Sequence, residues 1–506
     1  MRKEITMDEI MFALKDAAIA YLIASTPDFR FPCHTNVCAG NVTISHTATT
    51  DVLTAAQDDR SVAVIGYCID AYGKIDRSDI PVQFLSQTFP DAMSAFRYFD
   101  RFAGMYLVLY QDGDKMFLWG DASCSLSICY NVSGHTLCAA ITDKLVADLL
   151  GFDISERSLK IRNGSTVYSQ PLPNDLTLYD EIKALLPNHY LDCGSRKAIR
   201  VPLGVFETTK QKEIERIIEY TAELADNIAK SYCRDYELAL PLTAGTDSRT
   251  VLSFYKKFQP SIPCFTFKHA GFTNATADIA IPVKLCQMLH LPYQIIPDET
   301  APPAWNNGIA AQMNPYLDKT EVDNAYTYRL HMHRRADADG SIIDEVGKST
   351  QENAVPTALI RAPFIMCKLH NYEMLTKAEV KKWVEEVKRC GEQEHIADLF
   401  AIEQKLGRRV SQGTVMYSLC GINSLNLFNC REIILQWTRI PRKIRSKKYI
   451  PYAFLRRNDE RLLEIPFNPG SKHITFAKKF WPIFYIATFL KYFWMRIQMA
   501  GVLEKH

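Results

Sequence analysis

Three short apolar runs, separated by helical stretches, constrain the fold of this chain more than any other feature. The runs are ELALPL at 237–242, CFTFK at 264–268 and YQIIP at 293–297. Apolar runs of this length are typical of buried strands, and strands that alternate with helices form a parallel sheet. Isoleucine and leucine recur at helical spacing between residues 209 and 231, before the first run. A parallel α/β domain is therefore predicted to begin near residue 205.

The first 200 residues follow a different pattern, in which short alternating strands are separated by turn signals. The sequence QDGD at 111–114 lies between two apolar runs, and Asp-Gly provides the positive φ angles of a tight hairpin turn. The apolar stretch 17–24 follows acidic residues, which favours an amphipathic first helix over a secretory signal. The front of the chain is thus predicted to be rich in antiparallel sheet, with strands at 41–47, 61–70, 103–121 and 135–142.

Composition limits the classes of partner and compartment. The chain has 506 residues, which leaves room for two or three domains of about 150 residues each. With 59 Lys and Arg against 57 Asp and Glu, the net charge of +2 does not indicate a DNA-binding protein. The 14 cysteines include no C-x-x-C pair and are expected to be reduced core thiols. No uncharged apolar run approaches the roughly 18 residues of a membrane span, so a soluble, cytoplasmic protein is expected.

One strand-to-helix junction carries the strongest functional pattern. Small and polar residues follow the first apolar run before an apolar helix begins: Thr243, Ala244, Gly245, Thr246, Asp247 and Ser248. Small residues at such a junction let main-chain N–H groups converge on an anion at a helix N-terminus. An aspartate beside phosphates requires a cation such as Mg²⁺ between them. The alternative is a plain turn in which Asp and Ser cap the helix, and the spacing alone leaves both interpretations open.

The segment Thr-Ala-Gly-Thr-Asp-Ser at 243–248 resembles the Ser-Gly-Gly-x-Asp-Ser pyrophosphate loop of the ATP pyrophosphatases, in particular the synthetase domain of asparagine synthetases. Thr243 keeps the hydroxyl of the family's serine, whereas Ala244 keeps only the small size of its glycine. The strand CFTFK and the helix that opens with Asp278 are similar to the family's next strand and helix. The resemblance implies that residues 243–248 bind ATP and pyrophosphate, and that Phe267 lies on the strand whose backbone frames the adenine.

A second segment, Gly-Ser-Ile-Ile-Asp-Glu-Val-Gly at 340–347, is similar to the family's G-E-G-A-D-E-L-F-G segment. The resemblance implies that Asp344 and Asp247 are the carboxylates that hold Mg²⁺ at the pyrophosphate, and that Glu345 is a catalytic residue. A solvated loop is the alternative for this acidic pair. Ser341 replaces a glutamate thought to assist amine deprotonation in asparagine synthetases, so the acceptor need not be ammonia.

The stretch LLEIPFNPGSK at 462–472 resembles the loop that carries a catalytic lysine in relatives of the asparagine synthetases. Lys472 is the nearest such lysine and is therefore the candidate for neutralising charge on the adenylate during amine attack. A surface lysine is the alternative.

The resemblance also implies an α/β two-domain fold. Residues 1–200 would form a degenerate glutaminase-like domain, an Ntn-hydrolase-like αββα sandwich, and residues 205–475 a Rossmann-like ATP-pyrophosphatase domain with a parallel sheet and helical additions. The hairpin region that ends at Asp121 is similar to the family's front domain. The family's nucleophile is a cysteine at residue 2, but this chain has Arg2 there and its first cysteine is Cys33, so glutamine hydrolysis is expected to be absent.

Three further patterns carry weaker functional signals. Residues 476–506 are predicted to form an aromatic and basic helical tail, for which a helix that closes a core is favoured over peripheral membrane contact. The basic run 439–448 is predicted to be a solvated face. His331 and His333 would lie on one face of a strand, where a polar surface pair is favoured over a metal site.

These features predict an ATP-dependent, AMP-forming ligase. It would activate a substrate carboxylate as an acyl-adenylate, release pyrophosphate and let an amine displace AMP, with ATP and Mg²⁺ as cofactors. The expected partners are small-molecule or peptide carboxylates and amines, without DNA, and a homodimer is left open. The alternative is a catalytically inactive relative that serves as an interaction platform. Modification of tRNA through the same loop is a third interpretation, which would require a basic RNA-binding surface.

Overall fold

The computed structural model describes residues 17–26, 35–163, 172–302, 319–334, 336–348 and 377–467, together with residues 486 and 490. Over these residues the chain is a mixed α/β protein with two six-stranded sheets and one five-stranded sheet. All pairs in the five-stranded sheet are parallel, which confirms the parallel sheet predicted from the spacing of the apolar runs. Among the helices described, none is both long enough and apolar enough to cross a membrane.

The strands are numbered in chain order. In the front part of the chain they are β1 (Tyr21–Ala24), β2 (Thr35–Ala39), β3 (Val42–His46), β4 (Val52–Gln57), β5 (Arg60–Asp70), β6 (Phe102–Asp112), β7 (Lys115–Gly120), β8 (Cys129–Asn131), β9 (Cys138–Ala140), β10 (Ile182–Ala184), β11 (His189–Asp192) and β12 (Lys197–Arg200). The parallel sheet comprises β13 (Leu238–Pro241), β14 (Cys264–Lys268), β15 (Tyr293–Pro297), β16 (Ala336–Asp339) and β17 (Asn423–Asn426).

The α-helices are numbered in the same way. They are α1 (Ile80–Leu85), α2 (Ala92–Tyr98), α3 (Asp143–Leu150), α4 (Glu156–Asn163), α5 (Gln211–Asp235), α6 (Thr246–Tyr255), α7 (Ala277–Leu289), α8 (Lys319–Met332), α9 (Lys377–Arg389), α10 (Ile396–Phe400), α11 (Ser411–Leu419), α12 (Arg431–Thr438), α13 (Arg442–Arg445) and α14 (Tyr449–Asn458). The described residues also form two π-helical segments, Ile343–Lys348 and Ala401–Val410, and four 3₁₀ segments, Arg77–Asp79, Phe99–Arg101, Gln393–His395 and Glu460–Leu463.

The two front sheets are antiparallel, with the strand orders β10-β8-β9-β1-β3-β2 and β12-β11-β7-β6-β5-β4. Successive side chains of β5 point to two different cores, as the alternation of a strand requires. Val62 and Val64 pack in a core with residues of α1 and α2. Ala63 and Ile65 belong to a second core, which also contains Ile44 from the other sheet. The second sheet is therefore buried on both faces, with helices on one side and apolar side chains shared with the first sheet on the other.

The predicted hairpin at QDGD is confirmed. Strands β6 and β7 pair in antiparallel register, and the last pair joins Asp112 to Lys115. Gly113 has φ +58°, which is the left-handed conformation that the tight turn needs and that glycine adopts without strain.

The apolar stretch 17–24, predicted to lie in an amphipathic helix, forms no helix, and its second half is a strand. Residues 21–24 form β1, which pairs with β3 on one side and β9 on the other. All eight residues of the stretch are buried. A short apolar run that is buried on both faces cannot be assigned to helix or strand from periodicity alone. The acidic residues that suggested amphipathicity lie before residue 17, outside the described part of the chain.

The helix predicted at 209–231 is confirmed as α5. Its buried side chains include Ile214, Ile217, Leu224 and Ile228, at the spacing that indicated a helix. The cysteines of the described residues are unpaired thiols, as expected, and most are buried, although Cys38 and Cys390 are exposed.

The basic run 439–448 is only in part the solvated face that its composition predicted. Lys443 and Lys447 are exposed, but Arg445 is fully buried. Its guanidinium pairs with Asp398 at 2.6 Å and donates to the carbonyl oxygens of Ile440 and Val346. A buried arginine is expected where one carboxylate and several carbonyl groups converge, which the local sequence does not reveal.

Glu386 of α9 connects this helix to the second front sheet. Its Oε1 lies 3.5 Å from His189 Nε2 and 3.4 Å from Arg200 Nε. Hydrogen bonding to His189, with the charge of Arg200, lowers the pKa of Glu386 from 4.5 to about 2. Because the folded-state pKa is below its usual value, ionised Glu386 stabilises the protein above about pH 4.5, and this contribution is lost as the pH falls towards 2.

We therefore expect Glu386→Gln to lower stability at neutral pH and to flatten its dependence on pH between about 4.5 and 2. Urea unfolding at a series of pH values measures this change. A variant that retains the acid dependence of the natural chain would contradict the assignment.

Candidate functional site

The order of strands in the parallel sheet creates a crevice at one point. The order is β15-β14-β13-β16-β17, so the chain moves from β13 to one edge and then returns to the other side of β13. In open parallel sheets, ligands bind outside the carboxyl ends of the strands at the point where the strand order reverses. Residues 243–248 follow β13, and residues 340–348 follow β16, its neighbour. Both segments predicted to bind ATP therefore lie at this reversal.

The residues between β13 and α6 form a turn whose main-chain amides are bound by side chains. The N–H of Thr243 donates to Ser248 Oγ at 3.1 Å, and the N–H of Gly245 donates to Thr243 Oγ1 at 3.2 Å. The N–H of Ala244 donates to Asp278 Oδ1 at 2.9 Å. Side chains thus accept from the amides of residues 243–245, and the amides left to bind an anion are those of the first turn of α6.

Helix α6 begins at Thr246, with Gly245 as its N-cap residue. Glycine has no side chain that could accept from the first-turn amides, which also lack acceptors within the helix. Thr246 Oγ1 and Asp247 Oδ1 are buried and make no hydrogen bond with any residue that the structure describes. Buried polar atoms without partners are rare and costly, so their presence here indicates a place for a polar ligand.

The two aspartates predicted to act together are adjacent, and a lysine lies between them. Lys348 Nζ is 2.6 Å from Asp247 Oδ2 and 2.7 Å from Asp344 Oδ1. Asp344 and Lys348 are four residues apart in the π-helical segment Ile343–Lys348, and this segment brings Lys348 to α6. The side chain of Lys348 is 8% exposed, whereas that of Asp344 is 44% exposed. The carboxylates therefore share an ammonium group at the mouth of the crevice.

The pKa values of this group reflect burial and mutual charge. Burial raises the pKa of Asp247, the charge of Lys348 opposes that effect, and the nearby carboxylate of Asp344 adds to it. Burial disfavours the charged form of Lys348, but Asp247 and Asp344 outweigh it, so the pKa of Lys348 is raised above its usual value. Lys348 is therefore charged at neutral pH.

A magnesium ion between Asp247 Oδ2 and Asp344 Oδ1 does not fit this arrangement. Carboxylate oxygens are suitable ligands, but an ion about 2.1 Å from each of them would occupy the volume that Lys348 Nζ now holds. In the described residues, no group of three or more His, Cys, Asp or Glu side chains is placed to hold a metal ion. The positive charge between the two carboxylates is supplied by the protein itself.

Gly340 allows the two segments to approach. A Cβ at this position would lie 3.1 Å from Val251 Cγ2 and 3.8 Å from the main-chain carbon of Asp247. The turn after β16 therefore packs directly against the first turns of α6, which is what places Asp344 beside Asp247.

Next to the carboxylates lies a cavity of about 450 Å³. Its wall carries four carboxylates, from Asp337, Asp339, Asp344 and Glu345, and two cations, from Lys405 and Arg409. Glu345 Oε2 lies 2.7 Å from Lys405 Nζ, so the predicted catalytic glutamate is held in an ion pair at the cavity wall. The cavity has the size and the mixed charge suited to a small substrate with both acidic and basic groups.

Ser341, which stands where asparagine synthetases have a glutamate, is hydrogen-bonded to a carboxylate. Its hydroxyl donates to Asp339 Oδ2 at 2.6 Å, and Asn426 Nδ2 donates to the same oxygen at 2.5 Å. Ser341 and Asp339 line the cavity, and both also line a smaller pocket with Asn426. A carboxylate is therefore present beside this position, although it comes from the end of β16 rather than from residue 341.

Arg249 connects α6 to the segment after α14. It is fully buried, and its guanidinium donates to the carbonyl oxygens of Leu462, Ile465 and Pro466 at 3.0, 2.6 and 2.9 Å. This segment leads towards Lys472, which lies outside the described residues, as do Arg2, Cys33 and most of the tail 476–506.

Phe267 lies on β14, next to the strand that carries the loop, and is half-buried against Phe265 with ring centroids 5.3 Å apart.

The prediction that His331 and His333 lie on one face of a strand is wrong. His331 belongs to the last turn of α8 and pairs with Glu299 at 2.8 Å, whereas His333 follows the helix with φ +52°. The pair lies where a helix ends, which the two histidines alone do not reveal.

Sequence reasoning missed Lys348, Lys405 and the role of Asp278. Lys348 was signalled only by its position four residues after Asp344, which places both on one face if the segment is helical. The contacts of Lys405 and Asp278 span 60 and 34 residues of sequence and carry no local signal.

Comparisons with known proteins give little beyond this geometry. No family model matches the sequence, and no curated protein matches it either. Of the solved structures, 22 chains match, among them glutamine phosphoribosylpyrophosphate (PRPP) amidotransferase from B. subtilis complexed with ADP and GMP. That match has 10% sequence identity and a TM-score of 0.25, and it covers 58% of this chain and 62% of the other. At this TM-score the similarity carries no argument about fold or activity.

Proposed function

We propose that this chain is an ATP-dependent, amide-forming ligase similar to asparagine synthetases, without its own glutamine hydrolysis. One observation carries the proposal. The turn at 243–248 and the Asp344 segment, recognised separately in the sequence, meet at the reversal of the parallel sheet, with Asp247 and Asp344 bridged by one lysine. Their meeting at the place where open parallel sheets bind ligands supports a shared nucleotide site.

The fold assignment behind this proposal has two parts. We assign residues 1–200 to a degenerate Ntn-hydrolase-like domain, which is supported by two antiparallel sheets with helices packed on the outer face of the second one. We assign residues 205–475 to a Rossmann-like ATP-pyrophosphatase domain, which is supported by the all-parallel sheet and the turn after β13.

The proposed reaction has two steps. A carboxylate oxygen of the substrate attacks the α-phosphorus of ATP, the bond to the β-phosphate oxygen breaks, and pyrophosphate leaves. The nitrogen of an amine then attacks the acyl carbon, the bond to AMP breaks, and the amine loses a proton to a carboxylate. Catalysis of both steps consists mainly of positioning and charge neutralisation.

Residues of this chain can be matched to these tasks. First-turn amides of α6 and Lys348 would bind the phosphates, since a helix N-terminus and an ammonium group both favour anions. Arg409 and Lys405 at the cavity wall would orient the substrate carboxylate. Glu345 or Asp339 would accept the proton of the attacking amine, because both lie on the same cavity.

A second candidate function is a catalytically inactive relative that serves as an interaction platform. It is favoured by the hydrogen bonds of the turn, because the amides of Thr243, Ala244 and Gly245 already donate to side chains. If these bonds persist, only the first turn of α6 is available to phosphates.

Isotope exchange between pyrophosphate and ATP distinguishes the two functions. The full chain is incubated with ATP, labelled pyrophosphate and magnesium, with and without a pool of amino acids and amines. The ligase predicts label in ATP that depends on a carboxylate from the pool, because the first step is reversible. Exchange with no member of the pool, while ATP hydrolysis is also absent, would support the platform and contradict the ligase.

A further inference from the structure

We propose that Lys348 is the resident cation of the nucleotide site and allows this chain to bind the triphosphate of ATP without a divalent metal ion. The inference rests on the proposed function and specifies how the same site recognises its nucleotide. It starts from a disagreement between the motif and the structure. The motif predicts Mg²⁺ between Asp247 and Asp344, whereas the structure has an ammonium group there.

The position of Lys348 is fixed by the fold. The π-helical segment that carries Lys348 packs closely against Trp437 at Gly347. A Cβ at this glycine would lie 2.9 Å from Ile343 Cγ1 and 3.2 Å from Trp437 Cζ3, so a larger residue does not fit. The buried side chain of Arg445 donates to the carbonyl oxygen of Val346, and the two atoms are 2.6 Å apart. These contacts fix the main chain of Val346 and Gly347, which precede Lys348. The side chain of Lys348 points to the crevice and is 8% exposed. Such a lysine is part of the site rather than a mobile surface residue.

The charges around this lysine are close to balanced without a metal ion. Asp247 and Asp344 carry two negative charges, which Lys348 offsets by one. Lys448 also acts on Asp247, because its positive charge opposes the rise that burial gives to the pKa of that carboxyl group. The N-terminal end of α6 adds partial positive charge at the same place. Two lysines and a helix end therefore balance the carboxylates before any ion is bound.

A lysine can take over what a metal ion does for phosphates. Its ammonium group is a compact charge with three donors, which bind phosphate oxygens as readily as carboxylates. Lys348 can therefore exchange a carboxylate oxygen for a phosphate oxygen without leaving its place. The hydroxyl of Thr246, which is buried and has no hydrogen-bond partner in the described residues, would donate to the same phosphate.

Calorimetric titration of ATP into the full chain tests the inference in two buffers, one with EDTA and one with magnesium chloride. We expect the dissociation constants of the natural chain in the two buffers to differ by less than about threefold. This comparison needs no variant, so it remains decisive even if a substitution disturbs the fold.

Lys348→Met should weaken ATP binding in EDTA by about tenfold or more. Magnesium should restore part of the lost affinity, because the position that Lys348 Nζ leaves between the two carboxylates then suits a hard cation. The matched control is Lys256→Met. Lys256 also pairs with an aspartate at 2.6 Å, Asp459, but lies at the C-terminal end of α6. The control should bind ATP like the natural chain in both buffers, and circular dichroism checks that both variants are folded.

Two outcomes would overturn the inference while leaving the proposed function standing. One is that the natural chain binds ATP only when magnesium is present. The other is that Lys348→Met, correctly folded, binds ATP in EDTA as tightly as the natural chain does. Absence of ATP binding in both buffers would overturn the inference and the proposed function together.

Discussion

Asp247→Asn should lower ATP-dependent AMP formation by about 100-fold or more, which is the scale for losing one preorganised charged group at a reacting centre. The carboxylate of Asp247 positions the ammonium of Lys348 at 2.6 Å, and the neutral amide holds it less strongly. The amide has nearly the same shape, and Lys348 keeps its contact with Asp344, so the fold should be unchanged. Chromatographic measurement of AMP released from ATP, with a pool of amino acids and amines, gives the readout.

The matched control for this variant is Asp226→Asn. Asp226 also contacts two cations, Lys257 at 2.6 Å and Arg457 at 2.9 Å, but it lies on α5 outside the crevice. Its substitution should leave AMP formation unchanged. Undiminished AMP output from folded Asp247→Asn would contradict the mechanism.

Asp398→Ala should lower the free energy of unfolding by about 3–5 kcal/mol, because it leaves a buried arginine without its counter-charge. Asp398 and Arg445 are 1% and 0% exposed, and their side chains are 2.6 Å apart. The two carbonyl groups that accept from Arg445 do not replace a negative charge. Urea unfolding followed by tryptophan fluorescence measures the change, and Trp437 in the adjacent helix α12 makes this region visible.

An exposed ion pair in the same part of the chain is the control for the buried pair of Asp398 and Arg445. Lys381 and Glu385 of α9 are 3.8 Å apart, and their side chains are 66% and 58% exposed. Glu385→Ala should change the free energy of unfolding by less than about 0.5 kcal/mol. If Asp398→Ala costs as little as Glu385→Ala, the burial of the Arg445 pair is not as the structure describes it.

The sequence predicts those features whose cause is local. The runs at 237–242 and 264–268 are strands of the parallel sheet, and the QDGD turn is a hairpin, because chain length, apolar character and the φ preference of glycine act over a few residues. The stretch 17–24 was mistaken for a helix because an apolar run that is buried on all sides has no periodicity to distinguish it.

In the candidate site, too, the sequence reveals only the residues that belong to a contiguous motif. The turn at 243–248 and the acidic pair at Asp344 could be found in the sequence because each is a contiguous motif. Lys348 could not be assigned, because its contact with Asp247 spans 101 residues and depends on a π-helical segment that turns its side chain back to α6. A cation supplied by the chain is visible only once both segments are placed at one sheet edge.

The most direct measurement is a crystal structure of the full chain with a non-hydrolysable ATP analogue. The phosphates are expected within hydrogen-bond distance of the first-turn amides of α6 and of Lys348, with the adenine beside β14 near Phe267. An analogue bound elsewhere, or a crevice that stays filled by protein side chains at a saturating concentration of the analogue, would contradict the assignment of this turn as a triphosphate site.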